Sequence, residues 1–305
     1  MNIQGQVTSL VQKQRQGQIR VAATTIMNDA FALYGLFDWL GTGNNVVKFY
    51  NPNSSPQERD FTAAELTDGT YASWYVSGTT DIYKFYDQKG VSDHDMTAAG
   101  SGFSNAAHYI SATNEADFTI TGYYQYSYYQ TQTSSAISSA FDDQQTSSAN
   151  TMVMSLRKTG TGLGDLPASG RSIIGMRDNF TPAGFTSATH RGLKIKQAMY
   201  SSSVQLTYRA ADNSGKVSTA TTDLGTTFDT FAGGINVSGG TNDDFDLFVD
   251  GSQTVDEDYD IHAFTSADKF QLGDNKLRTQ GALFFNKQLT QDEHDEVHTI
   301  MSAHY

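Results

Sequence analysis

The sequence predicts an all-β protein: two antiparallel sheets packed as a sandwich, preceded by an N-terminal arm and closed by a short C-terminal helix. Three observations predict it. The composition is aromatic, with 16 Tyr and 18 Phe among 305 residues, and such side chains pack well on a pleated surface. Short apolar runs recur between Gly, Asn and Asp turns, the pattern of a two-sheet sandwich. The last stretch, Leu272 to Tyr305, reads as a buried strand feeding an amphipathic helix.

A chain of this length holds one large β domain or two ordinary ones. No apolar run approaches the roughly 20 residues that span a bilayer, and the N-terminus lacks the apolar core of a secretory leader. There is no cysteine, which excludes disulfides and thiolate metal sites. The net charge is −13; an acidic surface disfavours nucleic acid, whose phosphates are bound by cations. Residues 1–28 differ, carrying Lys13, Arg15 and Arg20 and no acid. This Gln-rich stretch reads either as a frayed terminus or as a basic arm that folds onto an acidic neighbouring subunit. The partition is an arm over 1–28 and one domain over 29–305. Within the domain, 29–104 is an N-terminal elaboration and 105–305 the sandwich core with its closing helix.

In chain order, Ala30–Leu36 and Val46–Tyr50 are apolar runs, and Phe61–Leu66 reads as a short helix. Asp68-Gly69 is a turn, and Tyr71–Val76 and Asp81–Tyr86 read as strands. His108–Ile110 and Asp117–Tyr129 follow; residues 131–150 are rich in Ser, Thr and Gln, a surface loop by composition. Thr151–Leu156 and Ser172–Met176 are strands. Val204–Tyr208 and Lys216–Thr219 flank Asp212-Asn213-Ser214-Gly215, a hairpin. Phe245–Val249 runs into Asp250-Gly251, a type I′ hairpin turn. Gly281–Phe285 is the closing strand. Thr290 and Glu293 then form a capping box, and Val297, Ile300 and Met301 make one apolar helix stripe.

Phe284 to Tyr305, an apolar strand, a polar turn, Leu289 and a Thr-x-x-Glu helix, resembles the closing element of concanavalin A-like (laminin G-like) jelly rolls. Leu247-Phe248-Val249-Asp250-Gly251 resembles their hairpin. Ile82-Tyr83-Lys84-Phe85-Tyr86-Asp87-Gln88-Lys89-Gly90 is similar to the Val-x-x-Trp-Tyr-Asp-Gln-Ser-Gly-x-Gly segment of proteins related to the α-L-arabinofuranosidase B catalytic domain. Phe85 replaces the Trp, Lys89 the Ser, and only Gly90 is kept of the closing glycines. The resemblance implies a concanavalin A-like jelly roll, a module frequent in phage virion proteins as well as in secreted glycosidases.

The resemblance also implies a catalytic acid at the Asp of a Gly-Asp-Asn segment, which is Asp274 here, and a Glu nucleophile in the middle of the domain. Glycoside hydrolysis needs both carboxylates. This chain has only six Glu and none between Glu115 and Glu257; Asp165 and Asp178 are unsupported substitutes. Asp274 reads equally as a turn residue.

Three other groups bear chemistry. Asp256, Asp258 and Asp260 alternate, so a strand puts them on one face. With Asp243 and Asp244 they are candidate calcium ligands, since calcium takes oxygen donors; the alternative is a solvated acidic edge. Tyr124, Tyr126 and Tyr128 share a strand face and are candidate carbohydrate-stacking rings, or ordinary β surface. His294 and His298 lie one helical turn apart without the Glu of a zinc-protease motif, and read as exposed helix histidines.

The leading expectation is a non-enzymatic phage virion structural protein, either a capsid decoration, minor capsid or tail-associated subunit. Its partners are other virion proteins, a second copy of itself and host surface glycans, with neither nucleic acid nor membrane. The alternatives are a carbohydrate-binding module and a glycoside hydrolase using Asp274.

Overall fold

The computed structural model describes residues 26–98, 106–118, 128–131, 136–137, 141, 148–158, 172–177, 192–197, 203–209, 215–223, 225–237, 243–259, 269–273 and 277–304. These residues form an all-β sandwich of two antiparallel sheets with a short C-terminal helix.

The first sheet runs in the order β1 (Ala32–Gly35), β19 (Gly281–Phe285), β9 (Ser148–Lys158), β14 (Asp229–Val237), β15 (Asp243–Val249) and β16 (Ser252–Tyr259). Both of its faces are covered, so its central strands are apolar without alternation, as in the fully buried GALFF of β19. Met152, Met154, Phe231, Phe245 and Phe284 point to the main core. Val153, Ala232, Phe248, Leu283 and Phe285 point the other way, into a second core with Val297, Ile300 and Met301 of the closing helix α3 (Gln291–Ser302). That helix begins as its sequence dictates. The Glu293 N–H donates to the Thr290 hydroxyl at 3.4 Å, and the Thr290 N–H donates to Glu293 Oε2 at 2.9 Å.

The second sheet starts with β3 (Glu58–Thr62), β2 (Asn45–Tyr50) and β4 (Asp81–Phe85). Along β4 it divides. One branch continues through β6 (His108–Ile110), β7 (Glu115–Asp117) and β18 (Leu277–Thr279) to the C-terminal end of β9. The other continues through β5 (Met96–Ala98), β8 (Tyr128–Gln130), β17 (Lys269–Gly273), β10 (Ser172–Arg177), β11 (Gly192–Gln197), β12 (Ser203–Arg209) and β13 (Gly215–Asp223). Strand β9 therefore belongs to both sheets and ties them together.

The two hairpins read from turn residues are present, β12–β13 and β15–β16. At the second, Asp250 and Gly251 take φ of +50° and +79°, the left-handed pair a type I′ turn demands. Three elements differ from expectation. The stretch 131–150 is not all surface loop: Ile137 and Phe141 are fully buried in the main core, and β9 begins at Ser148. Residues 71–76 are not a strand: α2 spans Thr70–Trp74, with Tyr71 and Trp74 buried one turn apart. Aromatic content favoured a strand, but the i, i+3 spacing of the two large rings governs. The helix read over 61–66 is α1 (Ala63–Thr67), capped by Thr62 and Glu65; Phe61 belongs to β3 and enters the core.

Candidate functional site

The sequence motif Tyr86-Asp87-Gln88 proves to be a fastener. Gln88 is 2% exposed. Its Oε1 accepts from the Trp39 N–H at 2.8 Å and its Nε2 donates to the Phe37 carbonyl at 2.7 Å. Asp87 Oδ1 accepts from the N–H groups of Leu33 and Lys89, both at 3.1 Å. The motif thus pins residues 33–39 against β4, and this in turn sets Trp39 and Phe37 beside the C-terminus. His304 stacks on Phe37 with ring centroids 4.1 Å apart and meets Trp39 edge-on. Desolvation by these rings lowers its pKa while its outer edge stays exposed.

A cleft of about 700 Å³ opens next to His304, within the usual size range of small-molecule sites. Its walls come from Thr67 at the end of α1, the turn 111–114 with Glu115 of β7, Arg157 of β9, the loop 226–228, Gln280 and His304. The walls are tied to one another. Asn114, at φ +50°, accepts from the Tyr109 hydroxyl at 2.9 Å. Gln280 Nε2 donates to the Thr113 carbonyl at 3.4 Å. Arg157 Nη1 donates to the Thr226 carbonyl at 3.3 Å, and its guanidinium lies 5.3 Å from the centre of the Phe228 ring.

The floor of the cleft is charged and self-neutralising. Arg157 Nη2 reaches the two oxygens of Glu115 at 2.8 and 2.6 Å. Arg278 Nη1 lies 3.3 Å from Glu115 Oε2, and Arg278 Nε lies 2.9 Å from Asp117 Oδ2. Gln280 Oε1 and Arg157 Nε are buried and have no partner among the described residues. Unused polar atoms are uncommon in native interiors, and both belong to residues that line this cleft.

The structure does not gather the sequence candidates into one site. Asp274, Tyr124, Tyr126, Asp260 and the arm residues Lys13, Arg15 and Arg20 lie outside the described residues. So do the side chains of Tyr128 and Asp243, whose backbones belong to β8 and β15. Asp256 and Asp258 are exposed on one face of β16, opposite Asp246 and Asp244 of β15. Among the described residues no group of three or more His, Asp or Glu side chains is arranged to hold a metal ion. The sequence reading missed Asp246. It is buried, accepting from Gln253 Nε2 at 3.0 Å and Gln288 Nε2 at 2.6 Å. Desolvation raises its pKa to about 6, with the charges of Asp244 and Asp256 adding to the shift. His294 also corrects the sequence reading. It is not an exposed helix residue but is 3% exposed, stacked on Phe248 at 3.6 Å. Burial pushes its pKa down to about 4. His298 remains half-buried, with Nδ1 3.2 Å from the Thr230 hydroxyl.

Fold and cleft together define a two-sheet β-sandwich with a small-molecule-sized recess at the junction of its sheets. No family model matches the sequence, and no curated protein matches it. Solved structures share the fold. A GH54 α-L-arabinofuranosidase soaked with a cyclic sulfate inhibitor aligns with TM-score 0.57 and 12% identity, over 90% of this chain and 63% of its own. A botulinum neurotoxin type C structure, described as dependent on two ganglioside molecules for cell entry, aligns with TM-score 0.50 and 11% identity. That alignment covers 68% of this chain and 47% of the toxin chain. This chain thus spans about half to two thirds of the length of the structures it resembles.

Proposed function

We propose that this protein is a non-enzymatic carbohydrate-recognition module that seats a neutral glycan in the cleft between the turn 111–114 and the loop 226–228. The observation that carries the proposal is the cleft wall itself. Fixed planar polar groups (the Arg157–Glu115 pair and the amides of Asn114 and Gln280) stand around Phe228. Sugars present hydroxyls to such donors and acceptors and C–H faces to aromatic rings. The fold shared with an arabinofuranosidase and with a ganglioside-dependent toxin supports carbohydrate recognition, and the paired charges of Arg157, Glu115 and Arg278 favour a neutral glycan. The non-enzymatic part rests on Glu115, the carboxylate that lines the cleft, and on Asp117, its neighbour on β7. Both are engaged by guanidinium groups instead of standing free as the acid and nucleophile that hydrolysis needs. A glycan array probed with the full chain and with Phe228→Ala tests the site. We expect neutral-glycan hits that weaken about tenfold in the variant, the loss typical of a central aromatic contact. An array with no neutral-glycan hit overturns the proposal.

A finer reading places the module on a phage particle, as a decoration, minor capsid or tail-associated subunit that touches host glycans. Its support is the sequence resemblance to virion modules and the basic stretch of Lys13, Arg15 and Arg20 on an otherwise acidic chain. Light scattering on the full chain and on residues 26–305, which keep the buried Ile26 and Met27, tests it. Oligomers that dissociate to folded monomers on truncation favour assembly through the arm; two monomers contradict it.

A further inference from the structure

We propose that the cleft is one end of a longer site, and that an extended neutral oligosaccharide runs from it across the outer face of the second sheet. This rests on the cleft being a glycan site. The observation is one of register. Tyr50, Asp81, His108, Asp117, Arg278 and Arg157 stand directly opposite one another on β2, β4, β6, β7, β18 and β9. Residues paired in this way share one face. Their strand neighbours Phe49, Ile82, Tyr109, Ala116, Leu277 and Leu156 all enter the main core, so the row lies on the face away from it. Adjacent strands are about 4.8 Å apart, so six strands present one polar group per step over about 24 Å. The row ends at Arg157, which lines the cleft.

The row carries two carboxylates, Asp81 and Asp117, and two guanidinium groups, Arg278 and Arg157, so its fixed charges balance. His108 Nδ1 lies 2.7 Å from Asp81 Oδ1, and Arg278 Nε lies 2.9 Å from Asp117 Oδ2. A polyanion laid along the row meets two carboxylates, and a polycation meets two guanidinium groups. A chain of hydroxyl-bearing units meets both acceptors and donors along the row with neither penalty. The side chains are already held by their partners, so they lose little freedom on binding. At the side chain His108 is 33% exposed, Arg278 23%, Arg157 19% and Asp81 15%, while Asp117 lies lowest at 11%. The strand spacing also approximates the length of one sugar unit in an extended chain, which gives one polar group per unit.

Calorimetric titration of the full chain with arabino-, xylo- and cello-oligosaccharides of two and six units tests the idea. In the series that binds, the hexamer is expected to bind about tenfold tighter than the dimer, as one or two added polar contacts supply. His108→Ala and Tyr50→Ala, checked for folding by circular dichroism, should cut that gain to about threefold or less and leave dimer affinity unchanged. Phe228→Ala should weaken both lengths. Equal affinity for both lengths, with Phe228→Ala still weakening both, overturns the extended track and keeps the cleft. A length gain that survives both row variants overturns the row as the track. Binding indifferent to Phe228→Ala overturns the cleft reading itself, and no binding in any series overturns both.

Discussion

Arg157 grips Glu115 through a single nitrogen that reaches both carboxylate oxygens, at 2.8 and 2.6 Å, with Glu115 only 4% exposed at the side chain. This pair sits where β9 leaves the first sheet to join the second, so it stitches the sandwich and floors the cleft at once. Arg157→Ala leaves Glu115 buried with Arg278 alone. We expect a loss of about 3 kcal/mol in urea denaturation, the usual consequence of removing one partner from a buried ion-pair network. Arg157→Met with Glu115→Leu should recover most of it, because removing both charges also removes their desolvation cost.

Asp246 and His294 predict opposing pH dependences in one window. The folded-state pKa of Asp246 is raised to about 6, above its unfolded value of roughly 3.9. The folded state therefore holds more protons between those values, and stability falls as pH rises through them. The folded-state pKa of His294 is lowered to about 4, below its unfolded value of roughly 6.5. There the unfolded chain holds more protons, and stability falls as pH drops from 6.5 toward 4. In the wild type the two effects offset each other. Asp246→Asn should uncover the His294 term: melting temperatures rise near pH 7 and drop more steeply toward pH 4.5 than in the wild type. Parallel melting profiles contradict this assignment.

Gly281 faces Gly35 across β1 and β19. A Cβ at Gly281 would stand 2.6 Å from the Trp39 ring and 2.9 Å from the Tyr34 carbonyl oxygen. Neither neighbour is a flexible side-chain tip. Gly281→Ala should cost about 1–3 kcal/mol by overpacking, read in chemical denaturation and as a shift in Trp39 fluorescence.

Gln88→Ala removes both amide contacts that hold residues 37–39. The buried Trp39 N–H and Phe37 carbonyl then lack partners, at about 1–3 kcal/mol each way of counting the loss. Hydrogen exchange at Trp39 should accelerate well before global unfolding; unchanged protection there contradicts the fastener role.

Local features of the fold were legible in the sequence. The capping box of Thr290 and Glu293, the left-handed Asp250-Gly251 turn and the apolar run of 281–285 each depend on neighbours within a few residues, and each forms as read. Tyr71 and Trp74 misled because their ring type favours strands while their spacing favours a helix turn. The short strands β11, β17 and β18 had no distinctive local pattern; pairing across the sheet defines them. The cleft was not legible at all. Thr67, Asn114, Arg157, Phe228, Gln280 and His304 lie far apart in sequence and meet only through sheet register. The one trace was compositional: in a chain with so few Glu, Glu115 stands alone in the middle. Its partners Arg157 and Arg278 are 42 and 163 residues away.

The most direct test of the central claim is hydrogen–deuterium exchange on the full chain, with and without the strongest neutral glycan from the array. Glycan binding in the cleft predicts new protection in 111–115 and 226–228, with little change over the acidic hairpin 243–259. Protection confined to that hairpin or to the tyrosines at 123–129, with 111–115 and 226–228 unchanged, contradicts it.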